Sequence, residues 1–163
     1  MSHKRATSRT LATSKGLREV KPTKPLKTSA QTILLIEDEP LLVSLYASML
    51  RKLTEANVIT ATEEHEALRL IESVVPGIVL LDLMIPTTGG AASNFHEPVG
   101  FEVLRRVKAN PKTKQIHVII LSNLDADEHR QRAYDLGAEE YIVKALLKPR
   151  ELAGRIAKYL GTS

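Results

Sequence analysis

Short apolar runs alternate with segments of helical period through most of this chain, and this alternation limits its fold more than any other feature. From Thr32 onward each run consists mainly of Val, Ile and Leu, as in strands that are buried on both faces. A segment whose apolar residues recur at helical spacing follows each run. Such alternation is typical of βαβ units, so the sequence predicts an α/β fold with a parallel five-stranded sheet.

Five strand–helix pairs are predicted, and right-handed crossovers leave few ways to arrange them. By analogy with flavodoxin-like, doubly wound folds, we expect a (βα)5 sandwich with strand order 2-1-3-4-5. The predicted strands are Thr32–Ile36, Asn57–Thr60, Ile78–Leu81, Val118–Leu121 and Tyr141–Val143. The predicted helices begin at Pro40, Glu63, Gly100, Asp125 and Pro149.

Two of the predicted helices carry more specific expectations. In the fourth helix, Glu128 follows Asp125 at the spacing of a capping box, and Gly137 is the expected stop. In the first helix one stripe is apolar, and we expect it to face the core. That stripe consists of Leu41, Leu42, Leu45, Met49 and Leu53.

Charge divides the chain into a tail and a domain. Residues 1–31 contain eight Lys or Arg and one acidic residue, Glu19, for a net charge of +7, whereas residues 32–163 carry a net charge of −3. The tail has little to bury and contains two Lys-Pro pairs, so we expect it to be disordered. A flexible leader and a weak contact with nucleic acid or acidic lipid both remain open. Without aromatics or a helix-turn-helix pattern, specific base recognition is not expected.

Length and composition exclude several classes of protein. The 163 residues suffice for one well-buried domain. The absence of cysteine excludes disulfides, thiolate metal sites and cysteine nucleophiles. No apolar stretch approaches the roughly 18 residues of a membrane-spanning helix, and the first thirty residues contain no apolar core of the kind that a secretory signal needs. We therefore expect a cytoplasmic protein with no membrane span.

Four of the predicted strands end on residues of different chemical kinds. After the first, third, fourth and fifth strands come Glu37 with Asp38, Asp82, Ser122 and Lys144. Because ligands bind beyond the carboxyl ends of the strands in open α/β sheets, we expect these side chains to converge there. The alternative for the first group is that Glu37, Asp38 and Glu39 merely complement the dipole of the first helix.

Three carboxylates in one cleft repel each other, by about 4 kcal/mol per pair at 4 Å with an effective dielectric near 20. A cation relieves this, and Mg²⁺ suits hard oxygen ligands, whereas the lack of Cys and of a spaced His pair argues against zinc. A carboxylate such as Asp82 can attack phosphorus and form an aspartyl phosphate, with Lys144 neutralising charge. We expect the Ser122 hydroxyl to bond a phosphoryl oxygen on Asp82, and to lack a partner when Asp82 is free.

Five motifs in order carry a family resemblance: Ile33–Pro40, Leu80–Pro86, Gly100–Leu104, Ile119–Ser122 and Gly137–Lys144. From Thr32 to about Leu160, the chain resembles response-regulator receiver domains of two-component signalling. The resemblance implies that Asp82 is the phospho-acceptor and that Asp38 and Asp82 bind Mg²⁺ or Mn²⁺ directly. It also implies that Glu37 acts on the metal through water and that the backbone carbonyl of Met84 is a further ligand.

The same resemblance assigns the remaining site residues and the partners. Ser122 matches the switch hydroxyl, Lys144 the phosphate-binding lysine, and Tyr141 the aromatic residue that moves inward on activation. The implied phosphoryl donor is a histidine kinase or a phosphotransfer protein, and the receiver catalyses its own phosphorylation and dephosphorylation without being an enzyme in the usual sense. Since no output domain follows Leu160, we expect a single-domain regulator. Its output would be binding of an unknown downstream protein through the fourth helix, fifth strand and fifth helix.

Besides the basic tail, the sequence departs from the family pattern in two places. Ala145 stands where the family has a cis-proline, so we expect a trans bond after Lys144 and an altered loop. Lys148 is a rival for the role of Lys144, but it lies beyond the predicted strand end. Residues 87–99 form an insertion between the third strand and third helix, which is either a tolerated surface loop or a partner-specific element.

Three other functions are weighed against the receiver. An aspartate-nucleophile phosphatase would carry a D-x-D pair after the first strand, where this chain has Glu37-Asp38-Glu39. A docking module that has lost the chemistry is disfavoured by the intact acidic residues and Lys144. A flavin-binding protein needs backbone donors after the first strand, and an acidic loop would repel the anionic cofactor.

Overall fold

A computed structural model describes residues 29–87 and 97–160, and its centre is a parallel sheet. The strands are β1 (Thr32–Ile36), β2 (Asn57–Ala61), β3 (Ile78–Leu81), β4 (His117–Ser122) and β5 (Glu140–Val143). Every hydrogen-bonded pair of neighbours is parallel, and the strand order is β2-β1-β3-β4-β5. The predicted α/β, flavodoxin-like fold is therefore confirmed.

Five helices cover the two faces of this sheet. They are α1 (Pro40–Leu53), α2 (Glu64–Val74), α3 (Val99–Ala109), α4 (Asp127–Asp135) and α5 (Pro149–Ala157). Alternate residues of β1 point to opposite faces, so Ile33 packs in the core beneath α1 and α5, while Leu34 packs in the core beneath α2, α3 and α4. All five residues of β1 are buried, which explains the uninterrupted apolar run in the sequence.

The predicted core face of α1 is wrong for three of its five residues. The buried residues of the helix are Tyr46, Ala47 and Leu50, whereas Leu41 is 77% exposed and Leu45 is 49% exposed. Leu53 is exposed as well, and Leu42 and Met49 pack only at the margin of the core. Apolar residues cover so much of this helix that hydrophobicity alone could not locate its buried side. The small side chain of Ala47 is found on the side that faces the core.

The predicted start of α4 is also wrong. The helix begins at Asp127, and its N-cap residue is Ala126, which makes no side-chain capping bond. Asp125 instead accepts a hydrogen bond from the Arg130 side chain. The carboxylate that resembled a cap is therefore engaged by a side chain one turn into the helix, and the capping box with Glu128 does not form.

The end of the predicted tail is ordered. Ser29–Gln31 form one 3-10 turn, and the Ser29 carbonyl accepts a hydrogen bond of 2.9 Å from the Gly77 backbone. The expectation of disorder is thus wrong for these three residues, while residues 1–28 lie outside the described part of the chain. Residues 88–96 of the predicted insertion 87–99 lie outside it as well. Among the described residues, no helix combines the length and the apolar character that crossing a membrane requires.

Candidate functional site

The sheet register brings the predicted site residues to one edge. Ile36 of β1 is paired with Leu81 of β3, so the residues that follow them, Glu37 and Asp82, leave adjacent strands at the same level. The Asp82 backbone continues the ladder by donating to the Ile36 carbonyl at 3.0 Å. Ser122 ends β4 and Lys144 follows β5, and both side chains reach Asp82. The expected convergence of these four side chains is present.

Both carboxylate oxygens of Asp82 accept hydrogen bonds. Oδ1 accepts from the Ser122 hydroxyl at 3.0 Å and from the Met84 backbone N–H at 3.1 Å. Oδ2 accepts from the Lys144 ammonium at 2.6 Å. Asp82 is only 6% exposed, so these contacts replace the water that the carboxylate has lost. These contacts hold the Asp82 side chain in one orientation at the carboxyl ends of the strands.

Lys144 bridges two buried carboxylates. Its ammonium lies 2.5 Å from Glu37 Oε2 and 2.6 Å from Asp82 Oδ2. Burial alone would lower the pKa of Lys144, but its hydrogen bonds to Asp82 and Glu37 and their charges outweigh that effect, so this pKa lies above its usual value. The ammonium is therefore charged throughout the physiological range.

The turn after Lys144 agrees with the expectation for a chain that lacks the proline. No cis peptide bond occurs in the described residues, so the bond to Ala145 is trans, and Lys144–Leu146 form a 3-10 turn. Lys148 is exposed and stands at the N-cap of α5. The prediction that Lys144, rather than its rival, reaches the carboxylates is thus supported by contact.

Three carboxylates form a cluster that fits a divalent cation. One oxygen from each of Glu37, Asp38 and Asp82 lies within 4.8 Å of the others. Glu37 and Asp82 are buried while Asp38 is exposed, so the cluster opens to solvent on the Asp38 side. A set of hard oxygen donors suits a cation such as Mg²⁺ better than softer metals.

The surroundings of Glu37 differ from those of a residue that only caps a helix. Burial raises the pKa of Glu37 above its usual value, and the hydrogen bond from Lys144 opposes this only in part. Glu39 occupies the N-cap position of α1 without a side-chain capping bond. The Glu37 carboxylate turns instead toward Lys144 with Oε2, while Oε1 accepts from the Glu39 backbone N–H at 3.3 Å. The alternative of a merely structural acidic triplet does not describe this arrangement.

One expectation about Ser122 is wrong. Its hydroxyl was expected to lack a partner beside an unmodified Asp82, yet it donates to Asp82 Oδ1. The reason is proximity: Ser122 is fully buried, and the Asp82 carboxylate is the acceptor its hydroxyl reaches. A role for Ser122 as a sensor would therefore require exchange between two acceptors.

Tyr141 lies next to this group of residues. The residue is 5% exposed, and its hydroxyl donates to the Leu124 carbonyl at 2.8 Å. Burial raises the pKa of the Tyr141 phenol. The guanidinium of Arg130 covers the ring at 5.3 Å from its centroid. Sequence reasoning missed Arg130, because nothing in a polar helix distinguishes it from Arg132.

Comparison with known proteins agrees with this geometry. The family model described as the response regulator receiver domain matches residues 33–157. The transcriptional regulatory protein CssR of Bacillus subtilis is 34% identical over 129 residues, which are 79% of this chain and 51% of that protein. The gliding motility regulatory protein of Myxococcus xanthus is 30% identical over 124 residues, 76% of this chain and 14% of that protein. The chain thus spans about half, or less, of these relatives.

A solved structure gives the same result. The signal receiver domain of a DNA-binding response regulator (merR) from Colwellia psychrerythraea is 29% identical to this chain. The two superpose with a TM-score of 0.66, over 78% of this chain and 95% of that one. Because the family match covers nearly the whole of the described sheet and its helices, this chain belongs to the response regulator receiver domains of two-component systems.

Proposed function

We propose that Asp82 accepts a phosphoryl group from a phosphohistidine on a histidine kinase or phosphotransfer protein. The observation that carries this proposal is the environment of Asp82: a buried carboxylate at a strand end, in contact with Lys144 and Ser122 and beside two further carboxylates. In the transfer, a carboxylate oxygen of Asp82 attacks phosphorus. The P–N bond of the donor breaks, and its imidazole nitrogen retains the electron pair and takes up a proton.

The surrounding residues have separate tasks in this proposal. Asp38 and Asp82 would hold Mg²⁺, or Mn²⁺ in its place, together with the Met84 carbonyl, while Glu37 would act through water. The cation, when bound, would offset negative charge on the phosphoryl oxygens. Lys144 supports the transfer because a charged ammonium 2.6 Å from Asp82 can follow the incoming phosphoryl group and neutralise it.

Ser122 would then exchange acceptors. Its hydroxyl, now on Asp82 Oδ1, would donate to a phosphoryl oxygen, and the loop after β4 would follow. Tyr141 contacts that loop at Leu124, so the change would reach the surface of α4, β5 and α5. We propose that this surface binds a downstream protein in the cytoplasm, with residues 32–163 as the receiver and residues 1–31 as a basic tail.

Phosphorylation by a small donor tests this proposal without the cognate kinase. Incubation with Mg²⁺ and acetyl phosphate should add one phosphoryl group, detected by intact mass. The group should be absent from Asp82→Asn and retained in Asp127→Asn, a control at a fully exposed aspartate outside the site. Chelation of the metal by EDTA should stop the reaction. Modification that persists in Asp82→Asn, or a wild type that stays unmodified, would contradict the proposal.

A further inference from the structure

Helix α4 is attached to the rest of the domain through few apolar contacts. Of its nine residues, all of which the structure describes, Ala133 alone is buried. Two arginines supplement this contact by lying over aromatic rings: Arg130 covers Tyr141 at 5.3 Å, and Arg132 covers Phe101 at 5.6 Å. Both rings are themselves buried. The placement of α4 therefore rests on these cation–π contacts together with Ala133 and the stacking of His129 on Phe101.

Arg130 differs from Arg132 in what else it contacts. Its guanidinium pairs with Asp125, which lies in the loop between β4 and α4, and with Asp127 at 3.9 Å in the first turn of the helix. From its place in α4, Arg130 thus contacts the loop before the helix, the first turn of the helix and the ring of Tyr141 in β5. Arg132 instead pairs with Glu97, which precedes α3.

Tyr141 links Arg130 to the phospho-acceptor through a chain of hydrogen bonds. The Tyr141 hydroxyl donates to the Leu124 carbonyl at 2.8 Å. The Leu124 backbone N–H in turn donates to the Ser122 hydroxyl oxygen at 3.5 Å, and that hydroxyl donates to Asp82 Oδ1 at 3.0 Å. The same short loop therefore carries both Leu124, held by Tyr141, and Asp125, held by Arg130. Arg130 therefore contacts both the ring of Tyr141 and the loop whose Leu124 N–H reaches the Ser122 hydroxyl oxygen.

We propose that Arg130 is a positioning residue for phosphoryl transfer, which acts by holding Tyr141 against the Leu124 carbonyl so that the Ser122 hydroxyl stays at Asp82. This inference rests on the proposed function, since it concerns the same acceptor. Without Arg130, the ring samples other positions and the hydroxyl is at Asp82 for a smaller fraction of the time. Phosphorylation of Asp82 then slows in proportion to the smaller population of molecules that have the Ser122 hydroxyl at Asp82.

The test compares Arg130→Ala with Arg132→Ala, a matched control on the same helix with the same kind of ring contact. The initial rate of Asp82 phosphorylation by acetyl phosphate and Mg²⁺ is measured by intact mass, and urea denaturation reports stability. We expect Arg130→Ala to be about three- to fivefold slower, the range that a partly exposed cation–π contact supplies. Arg132→Ala should keep the wild-type rate, and Arg130→Lys should recover part of the loss.

A double-mutant cycle with Tyr141→Ala separates positioning from general support of α4. If Arg130 acts through the ring, Arg130→Ala causes no further slowing in the Tyr141→Ala background. Equal slowing by both arginine variants, or an undiminished effect of Arg130→Ala without the ring, would overturn the inference while leaving the proposed function intact.

A second measurement does not depend on phosphorylation. The ring protons of Tyr141, assigned in the NMR spectrum with Tyr141→Phe, are observed in the presence of a soluble gadolinium chelate. Arg130→Ala should increase their relaxation, because the ring loses its cover, and Arg132→Ala should not. If the wild type accepts no phosphoryl group, the proposed function fails, and so does the catalytic part of this inference. If the ring signals are the same in both variants, the positioning of Tyr141 by Arg130 is itself disproved.

Discussion

Two glutamates at opposite ends of the parallel strands have different partners. At the carboxyl ends of the strands, here called the carboxyl edge, Glu37 shares one ammonium, Lys144, with Asp82. At the amino edge, Glu140 at the start of β5 has three donors to itself, from Arg155, Lys158 and Tyr159 of the α5 end. Burial raises the pKa of Glu37. Burial also acts on Glu140, but the hydrogen bonds it accepts lower its pKa below the usual value.

This difference agrees with the proposed chemistry at the carboxyl edge and with a structural role for Glu140 at the amino edge. Two buried carboxylates with one cation retain excess negative charge, which favours binding of a further cation or acceptance of an electrophile. One carboxylate with several donors at the surface has no such excess and gains modestly from each contact. The carboxyl edge therefore keeps an uncompensated negative charge, and the amino edge fastens α5 to the sheet.

Replacement of the shared lysine should have the largest effect. Lys144→Met leaves Glu37 and Asp82 buried together without a positive partner, and breaking a buried pair in this way costs about 3–5 kcal/mol. We expect that loss in the free energy of unfolding at pH 7 in EDTA, measured by urea denaturation. Added Mg²⁺ should restore more stability to this variant than to the wild type, because the cation offsets the same excess charge.

The matched control lies at the other edge. Lys158→Met removes an exposed ammonium from Glu140, which keeps its contacts with Arg155 and Tyr159. We expect the urea midpoint to remain close to that of the wild type. Similar losses from the two lysine variants would show that burial does not distinguish the edges, and the comparison would fail.

The next largest loss of stability is expected at two glycines that lie close against neighbouring backbone, one at each edge. A Cβ on Gly77 would lie 2.2 Å from the Ala30 carbonyl oxygen at the amino edge, and a Cβ on Gly100 would lie 2.6 Å from the Asp82 carbonyl oxygen at the carboxyl edge. Each alanine variant should lose about 1–3 kcal/mol of stability through overpacking. Only Gly100→Ala should also slow phosphorylation of Asp82, because it displaces the backbone that carries the acceptor.

Gly154→Ala controls for the substitution itself, since nothing beyond the adjoining backbone of its own helix lies within 4 Å of the added Cβ. In the middle of α5 it should raise the free energy of unfolding by about 0.5–1 kcal/mol. Stability is read from urea denaturation and phosphorylation from intact mass. An equal slowing of phosphorylation in Gly77→Ala would mean that the chemistry follows global stability rather than the local position of Asp82.

The sequence predicted the strands and the residues that follow them because both depend on local pattern. Uninterrupted apolar runs identify strands buried on both faces, and the ends of such strands must meet at one edge. Glu37, Asp82 and Lys144 were predictable for this reason, and their contacts now agree. Strand order needed analogy with known folds, since the runs themselves are nearly interchangeable.

The remaining features depend on three-dimensional packing that no local pattern encodes. The leucines of α1 outnumber the positions the core can take, so Leu41 was wrongly assigned to the core. The hydrogen bond from Ser122 to Asp82 depends on the exact approach of β3 and β4. Arg130 contacts Tyr141 from a helix that begins at Asp127, two residues beyond the predicted start at Asp125.

The smallest effect concerns Glu140 and its dependence on pH. A carboxyl whose folded pKa is depressed adds stability above its unfolded pKa, about 4.3 for a glutamate, and loses it as pH falls through the folded value. We expect Glu140→Gln to cost about 0.5–1 kcal/mol at pH 7, after screening by water. The gap between wild type and variant in urea denaturation should shrink below pH 4.3, whereas Glu55→Gln, at an exposed acid in the loop between α1 and β2, should stay close to the wild type at pH 7. A gap that stays constant into the acid range would mean that Glu140 holds α5 by packing and not by its charge, so the amino edge would no longer differ from the carboxyl edge in the way proposed.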